Sequence, residues 1–175
     1  MTSNPEPQPQ QHAASATQLS ARRPTVLFLC EHNAGRSQLA AGLTAHRGAG
    51  KVTVRSAGTA PDDKVSDIML DSLAEVGIHW SNQVLTRVSD ALVRQADLIG
   101  ALKPGLGIDH PADVPYETWP LPDPANWDVD GIRPLRDHLD QRVRDLIERL
   151  TSDGAATTAQ PDRTSDGTLP DGVSD

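Results

Sequence analysis

The chain has 175 residues, a formal charge of -8 and an aromatic content of 3%. An acidic chain with no basic cluster and few stacking side chains is not built to hold nucleic acid or an anionic membrane by bulk charge. Its one cysteine, Cys30, excludes an intramolecular disulfide, a multi-cysteine zinc site and a CxxC redox pair within these residues.

Residues 1–23 and 152–175 are rich in Pro, Gln, Ser, Thr, Asp and Gly and poor in large apolar residues. Neither can bury enough to offset its ordering entropy, so both read as disordered tails, the second acidic. The folded unit is then 24–151, long enough for one core. No run of 18 apolar residues reads as a membrane span, and the N-terminus lacks the apolar stretch of a secretory signal. The expectation is a cytoplasmic protein.

Within 24–151, Thr25–Cys30 (TVLFLC) is a continuous apolar run and reads as a strand buried on both faces. Glu31–Ser37 is a turn, and Gln38–Arg47 a helix. Lys51–Arg55 alternates and is β-branched, a second strand, followed by a loop over Ser56–Asp63. Val65–Val76 has helical spacing and ends at Gly77. Arg87–Gln95 is a shorter helix, Asp97–Leu102 a third strand, Lys103–Val114 a loop, Tyr116–Trp119 a fourth strand and Pro120–Asp128 a Pro- and Asp-rich loop. The last helix spans Asp130–Leu150, with Ile132, Leu135, Leu139, Val143, Leu146 and Leu150 on one stripe. Asp128 reads as a turn residue and Asp130 as the N-cap of that helix. The alternation predicts an α/β fold: a four-stranded parallel sheet with helices on both faces. Ligands of such sheets lie beyond the carboxyl ends of the strands, which directs attention to the segment after the first strand.

That segment is CEHNAGRS, Cys30–Ser37. A loop between a strand and a helix can turn its backbone N–H groups inward as a nest for an oxyanion. The helix adds its unpaired N–H groups and dipole. Arg36 can grip a tetrahedral oxyanion through two N–H bonds, and the positive field favours the thiolate of Cys30 beneath it. Ser37 can donate to that sulfur, and Gly35 supplies conformational freedom. A lone cysteine at a strand end is ordinarily an inert thiol; the C-x5-R-S pattern between strand and helix argues for a nucleophile. The cradle residues are Glu31, His32, Asn33, Ala34, Gly35, Arg36 and Ser37. Glu31 is expected to point to solvent and His32 to be structural. His46, His79, His110 and His138 show no metal spacing, so no metal site is expected.

VLFLCEHNAGRSQLAAGL resembles the phosphate-binding loop of the low-molecular-weight tyrosine phosphatase superfamily, and most nearly the arsenate reductases of that fold. The resemblance runs over about Pro24–Leu150, through RSAGT (Arg55–Thr59), EVGI (Glu75–Ile78), Ala96-Asp97 and LPDPANWDVDGIRPLRDHLDQRV (Leu121–Val143). It implies Cys30 as nucleophile, Arg36 as oxyanion clamp, Asn33 in a left-handed turn, Ser37 supporting the thiolate and Asp123 as general acid. Displacing an oxide from phosphorus or arsenic does require a proton at the leaving atom, and Pro122 and Pro124 stiffen the loop that carries Asp123. Tyrosine phosphatases of this fold use aromatic walls after the Asp-Pro; here Ala125 and Asn126 follow, and Ala60-Pro61 follow SAGT. Trp119 and Trp127 are either walls or core. Thioredoxin-linked reductases carry two more cysteines after the third strand, where this chain has ALKPGLGIDHPADVP. The resemblance therefore implies an arsenate–mycothiol transferase. It further implies no bound cofactor, mycothiol or another small thiol as co-substrate, and a mycoredoxin-type redoxin as partner. The alternative is a low-molecular-weight protein tyrosine phosphatase working through a cysteinyl-phosphate.

Overall fold

The computed structural model describes residues 22–156. The expected tails fall largely outside those residues. β1 (Thr25–Cys30), β2 (Thr53–Gly58), β3 (Leu98–Ala101) and β4 (Tyr116–Thr118) form one sheet in the order β2-β1-β3-β4, parallel throughout. Side chains alternate across a strand. Val26, Phe28 and Cys30 accordingly enter the larger core, and Leu27 and Leu29 the smaller one on the opposite face. The larger core is closed by α1 (Arg36–Arg47), α2 (Asp67–Ala74) and α4 (Val129–Ala156), and the smaller one by α3 (Asp90–Gln95). No described helix is long and apolar enough to cross a membrane.

β2 begins and ends later than its β-branched pattern suggests. Lys51 lies in the turn after Gly50, whereas Ser56, Ala57 and Gly58 pair with Phe28, Leu29 and Cys30. The small residues of RSAG continue the strand because β1 offers them a complete ladder. α2 is shorter than Val65–Val76. Its end is a Schellman motif: Ile78 N–H donates to the Leu73 carbonyl (3.0 Å) and Gly77 N–H to that of Ala74 (3.0 Å), with Gly77 at φ 80°. α3 starts at Asp90, where the Ser89 hydroxyl accepts from Leu92 N–H; Arg87 is drawn away to bridge Gly58.

α4 corrects the expected cap. Gly131 N–H donates to Asp128 Oδ1 at 2.8 Å, so Asp128 is the N-cap and Asp130 lies in the first turn beside Arg133. Such a cap contributes about 1 kcal/mol. The helix continues to Ala156, past the Leu150 of the apolar stripe. Its stripe, Ile132 to Leu146, is buried. At the opposite end of the sheet, the Asp97 carboxylate accepts from Thr25 N–H (2.7 Å) and from Arg22 (2.7 Å), fixing the start of β1.

Glu75, just after α2, receives Arg133 and Arg136 from α4. Arg136 is buried and also donates to the Ser72 carbonyl at 3.0 Å. The two guanidiniums hold the Glu75 carboxyl at about 2, well below its ordinary 4.5. A carboxyl depressed on folding stabilises the fold above its ordinary range, and that contribution is lost as pH falls toward its folded value. Glu75→Gln should therefore lower Tm at pH 7, and the difference from the native protein should shrink steadily between about 4.5 and about 2. Urea melts at stepped pH check this; a difference independent of pH would assign the effect to packing instead.

Candidate active site

β1 is the point where the chain reverses its direction across the sheet: β2 lies on one side of it and β3 on the other. The crevice beyond its carboxyl end is thus a natural ligand position. The loop from Glu31 to Gly35 fills this crevice and passes into α1. Three of its carbonyls, and that of Cys30 before it, are tied to the segment 59–66. Cys30 accepts from Thr59 N–H (3.3 Å), Glu31 from Ala60 (2.8 Å), His32 from Asp62 (2.9 Å) and Ala34 from Ser66 (2.9 Å). In a trans peptide the N–H points opposite to the C=O. The amides of Glu31, His32, Asn33 and Gly35 are therefore turned away from those ties, toward the concave side. Asn33 makes the turn at φ 53°. Gly35, the N-cap of α1, supplies no side-chain acceptor, and no acidic residue stands in the first turn. The first amides of α1 and its dipole are left for an anion.

The loop lies directly on the end of β2. A Cβ on Gly58 would stand 2.5 Å from the Glu31 carbonyl oxygen and 2.9 Å from Asn33 N. Both are backbone atoms, so only glycine admits this approach.

Cys30, Asn33 and Ser37 are buried. Thr86 N–H donates to Asn33 Oδ1 (2.8 Å), which orients the amide so that Asn33 Nδ2 donates to Ser37 Oγ (2.9 Å). Ser37 Oγ lies 2.9 Å from Cys30 Sγ. Oγ accepts from Asn33 and keeps its own proton, so it can donate to the sulfur once that is a thiolate, which can only accept. The three bonds form one polarised chain ending at Sγ.

Above the sulfur is a cavity of about 240 Å³ lined by Cys30, His32, Ala34, Gly35, Arg36, Asp62, Ser66, Met69, Asp123, Pro124 and Ala125. Cys30, Arg36 and Asp123, which lie far apart in sequence, thus share one space. Arg36 Nη1 donates to the Leu121 carbonyl at 3.0 Å, joining the cradle to the segment that leads into Asp123. Asp123 Oδ1 accepts from Ala125 N–H at 3.1 Å, a local turn that fixes its side chain. Of the other cradle residues, His32, Ala34 and Gly35 line the cavity. The side chains of Asn33 and Ser37 lie beneath it, and that of Glu31 lies outside.

Glu31 is not simply in solvent: it pairs with Lys103, whose ammonium is the main cause that lowers its carboxyl below the ordinary range. Neither Trp119 nor Trp127 is a wall of the cavity. Trp119 is core, tilted against Phe28 and covered by Arg142. Trp127 packs on the larger core. Trp80 donates to Gln38, and Tyr116 stacks on His110. The chain has five Phe, Tyr and Trp residues in all, and none lines the cavity.

Sequence reasoning did not find Lys103, Thr86, Met69, Ser66 or Asp62. Lys103 stands just past the end of β3 and Asp62 just past SAGT. Position beyond a strand's carboxyl end was therefore the available signal for both. Thr86 acts through its backbone and leaves no side-chain trace.

Among known proteins, a model of the low molecular weight phosphotyrosine protein phosphatase family matches residues 25–106. The chain is 30% identical over 130 residues to a glutaredoxin arsenate reductase of Synechocystis, covering 72% of this chain and 98% of that protein. A thioredoxin-dependent arsenate reductase of Corynebacterium glutamicum superposes with a TM-score of 0.65 at 28% identity, over 81% of this chain and 68% of that one. An arsenate reductase in its phosphate-binding state gives 0.65 at 30% identity, over 73% and 98%. The outward-tied loop, the sulfur beneath it and these likenesses agree, and the chain belongs to the low molecular weight phosphotyrosine protein phosphatase family, in its arsenate-reductase group.

Proposed function

We propose that the chain reduces arsenate with an external low-molecular-weight thiol, of which mycothiol is the example, using Cys30 as nucleophile. One observation carries the reading: the only sulfur nucleophile of the chain lies under a small oxyanion cradle with no Phe, Tyr or Trp wall. The relatives named as arsenate reductases support the substrate class. A phenyl phosphate would find the cradle but no ring to pack against.

The residues divide the work. The loop amides and Arg36 hold three arsenate oxygens, and the charge that develops on them meets fixed dipoles. Cys30 Sγ forms a bond to arsenic while an As–O bond breaks, and Asp123 gives the departing oxygen its proton so that it leaves as water. A small thiol then attacks arsenic, and the electron pair of the S–As bond returns to Cys30, which Ser37 receives by its hydrogen bond. Arsenic is still pentavalent in the released thiol adduct. A second thiol, on a redoxin of the mycoredoxin type, attacks the sulfur of that adduct. A disulfide forms, and arsenic leaves as arsenite with two electrons gained.

Cys30→Ser should remove nearly all arsenate turnover while leaving the melting profile and phosphate binding close to native, read by calorimetry alongside an arsenite assay. Substantial turnover by the variant would remove Cys30 from this role. Thioredoxin and its reductase alone should yield no arsenite, because no second cysteine in the chain can close a disulfide with Cys30. Mycothiol with its redoxin should yield it. Equal rates in both systems would overturn the external-thiol reading, and hydrolysis of p-nitrophenyl phosphate with no arsenite in either would establish the phosphatase instead.

A further inference from the structure

Glu31 follows the nucleophile directly and sets a carboxylate beside a loop whose amides, helix dipole and Arg36 suit an anion. Like charges at such a range repel, so an uncovered Glu31 would oppose what the loop is built to hold. The backbone cannot carry it away. The Glu31 carbonyl accepts from Ala60 N–H at 2.8 Å and lies against Gly58, with no room for a Cβ between them. Only the side chain is left to be directed.

Lys103 is placed to direct it. β1 and β3 are parallel with Leu29 opposite Ala101, and Leu102 N–H donates to the Leu29 carbonyl at 2.8 Å. Two residues beyond that pair, the same register brings Lys103 alongside Glu31, and the two side chains form an ion pair. Lys103 is the main cause that holds the Glu31 carboxyl below its ordinary range, and His32 and Arg36 add in the same direction. Arg36, the oxyanion clamp, is thus itself within electrostatic reach of this carboxylate. Neither Glu31 nor Lys103 lines the cavity, so the ammonium is not placed to bind the anion directly. A partly exposed pair of this kind contributes little to stability. Its consequence lies in the charge it cancels beside the cradle.

We propose that Lys103 is a positioning residue for oxyanion binding: it pairs with Glu31, cancels its charge and keeps its carboxylate off Arg36, so that the loop amides and the guanidinium are left to the anion. This rests on the oxyanion-cradle reading above and not on which thiol follows. Lys103 acts on the anion only through Glu31, which separates it from a direct ligand. Removing both charges together should restore what removing the ammonium alone takes away. A direct ligand would give no such restoration, and neither would a pair that matters only for the shape of the loop.

Inorganic phosphate affinity, measured by titration calorimetry with a thermal melt of each variant, tests this. Lys103→Met should weaken phosphate binding by about three- to tenfold, the effect of one uncompensated charge beside the cradle, with Tm close to native. Lys103→Arg should bind as the native protein does. Glu31→Gln should bind more tightly than native, and the double variant Glu31→Gln/Lys103→Met should recover to within about twofold of native. A double variant as weak as Lys103→Met would make Lys103 a direct ligand. Equal losses in Glu31→Gln and Lys103→Met would make the pair structural, and native affinity in Lys103→Met would leave it no part in binding. Each of these three results overturns the assignment. A native protein that binds no phosphate would overturn the cradle reading itself, and the assignment with it, before any variant is compared.

Discussion

The constraint on which the site depends is the backbone contact between Gly58 and the loop that leaves Cys30. The ladder places Gly58 opposite Cys30 at the last rung of β1 and β2. There is no room for a Cβ between Gly58 and the backbone at Glu31 and Asn33. Gly58 is held from its other side too: its N–H donates to the Thr86 carbonyl and its carbonyl accepts from Val88. Three segments thus close on one residue, and the turn at Asn33, the tie from Thr86 and the outward carbonyls follow from that closure. Electrostatics does the rest, since each carbonyl tied to the 59–66 segment leaves the opposite edge of its peptide to an N–H group.

This geometry ties Asp123, the proposed acid, to the cradle. Arg36 bonds the carbonyl that immediately precedes Pro122 and so tethers the cradle to the segment that carries Asp123. On the opposite side Lys103 at the end of β3 holds Glu31 by an ion pair, keeping a carboxylate out of the anion site. A cavity with one thiol and a polar rim holds no second thiol to pair with it, which is why the reaction proposed for it takes its second reactant from solution.

Much of this was legible in the sequence where chemistry and pattern coincide locally. The apolar run of β1, the C-x5-R-S loop and the stripe of α4 are each written within a few turns of chain, and the structure places them as the pattern implies. Legibility failed where long-range pairing overrides local propensity. RSAG has little strand preference yet completes β2, because an open ladder on β1 outweighs propensity. Asp128 and Asp130 are equally good caps by residue type, and only the side chain's reach to Gly131 N–H distinguishes them. Lys103 and Thr86 lie 72 and 53 residues from the groups they serve. One acts through an ordinary surface-type side chain and the other through its backbone, so neither leaves a motif.

The central claim is that the cradle exists because glycine stands at position 58. Gly58→Ala tests it through phosphate affinity, measured by titration calorimetry together with a thermal melt. The side chain of alanine must displace the backbone at Glu31 and Asn33, at a cost of about 1–3 kcal/mol. The account predicts a protein that still folds, with a lowered Tm and a phosphate affinity reduced by about tenfold or more. Native affinity in a folded Gly58→Ala protein would contradict it.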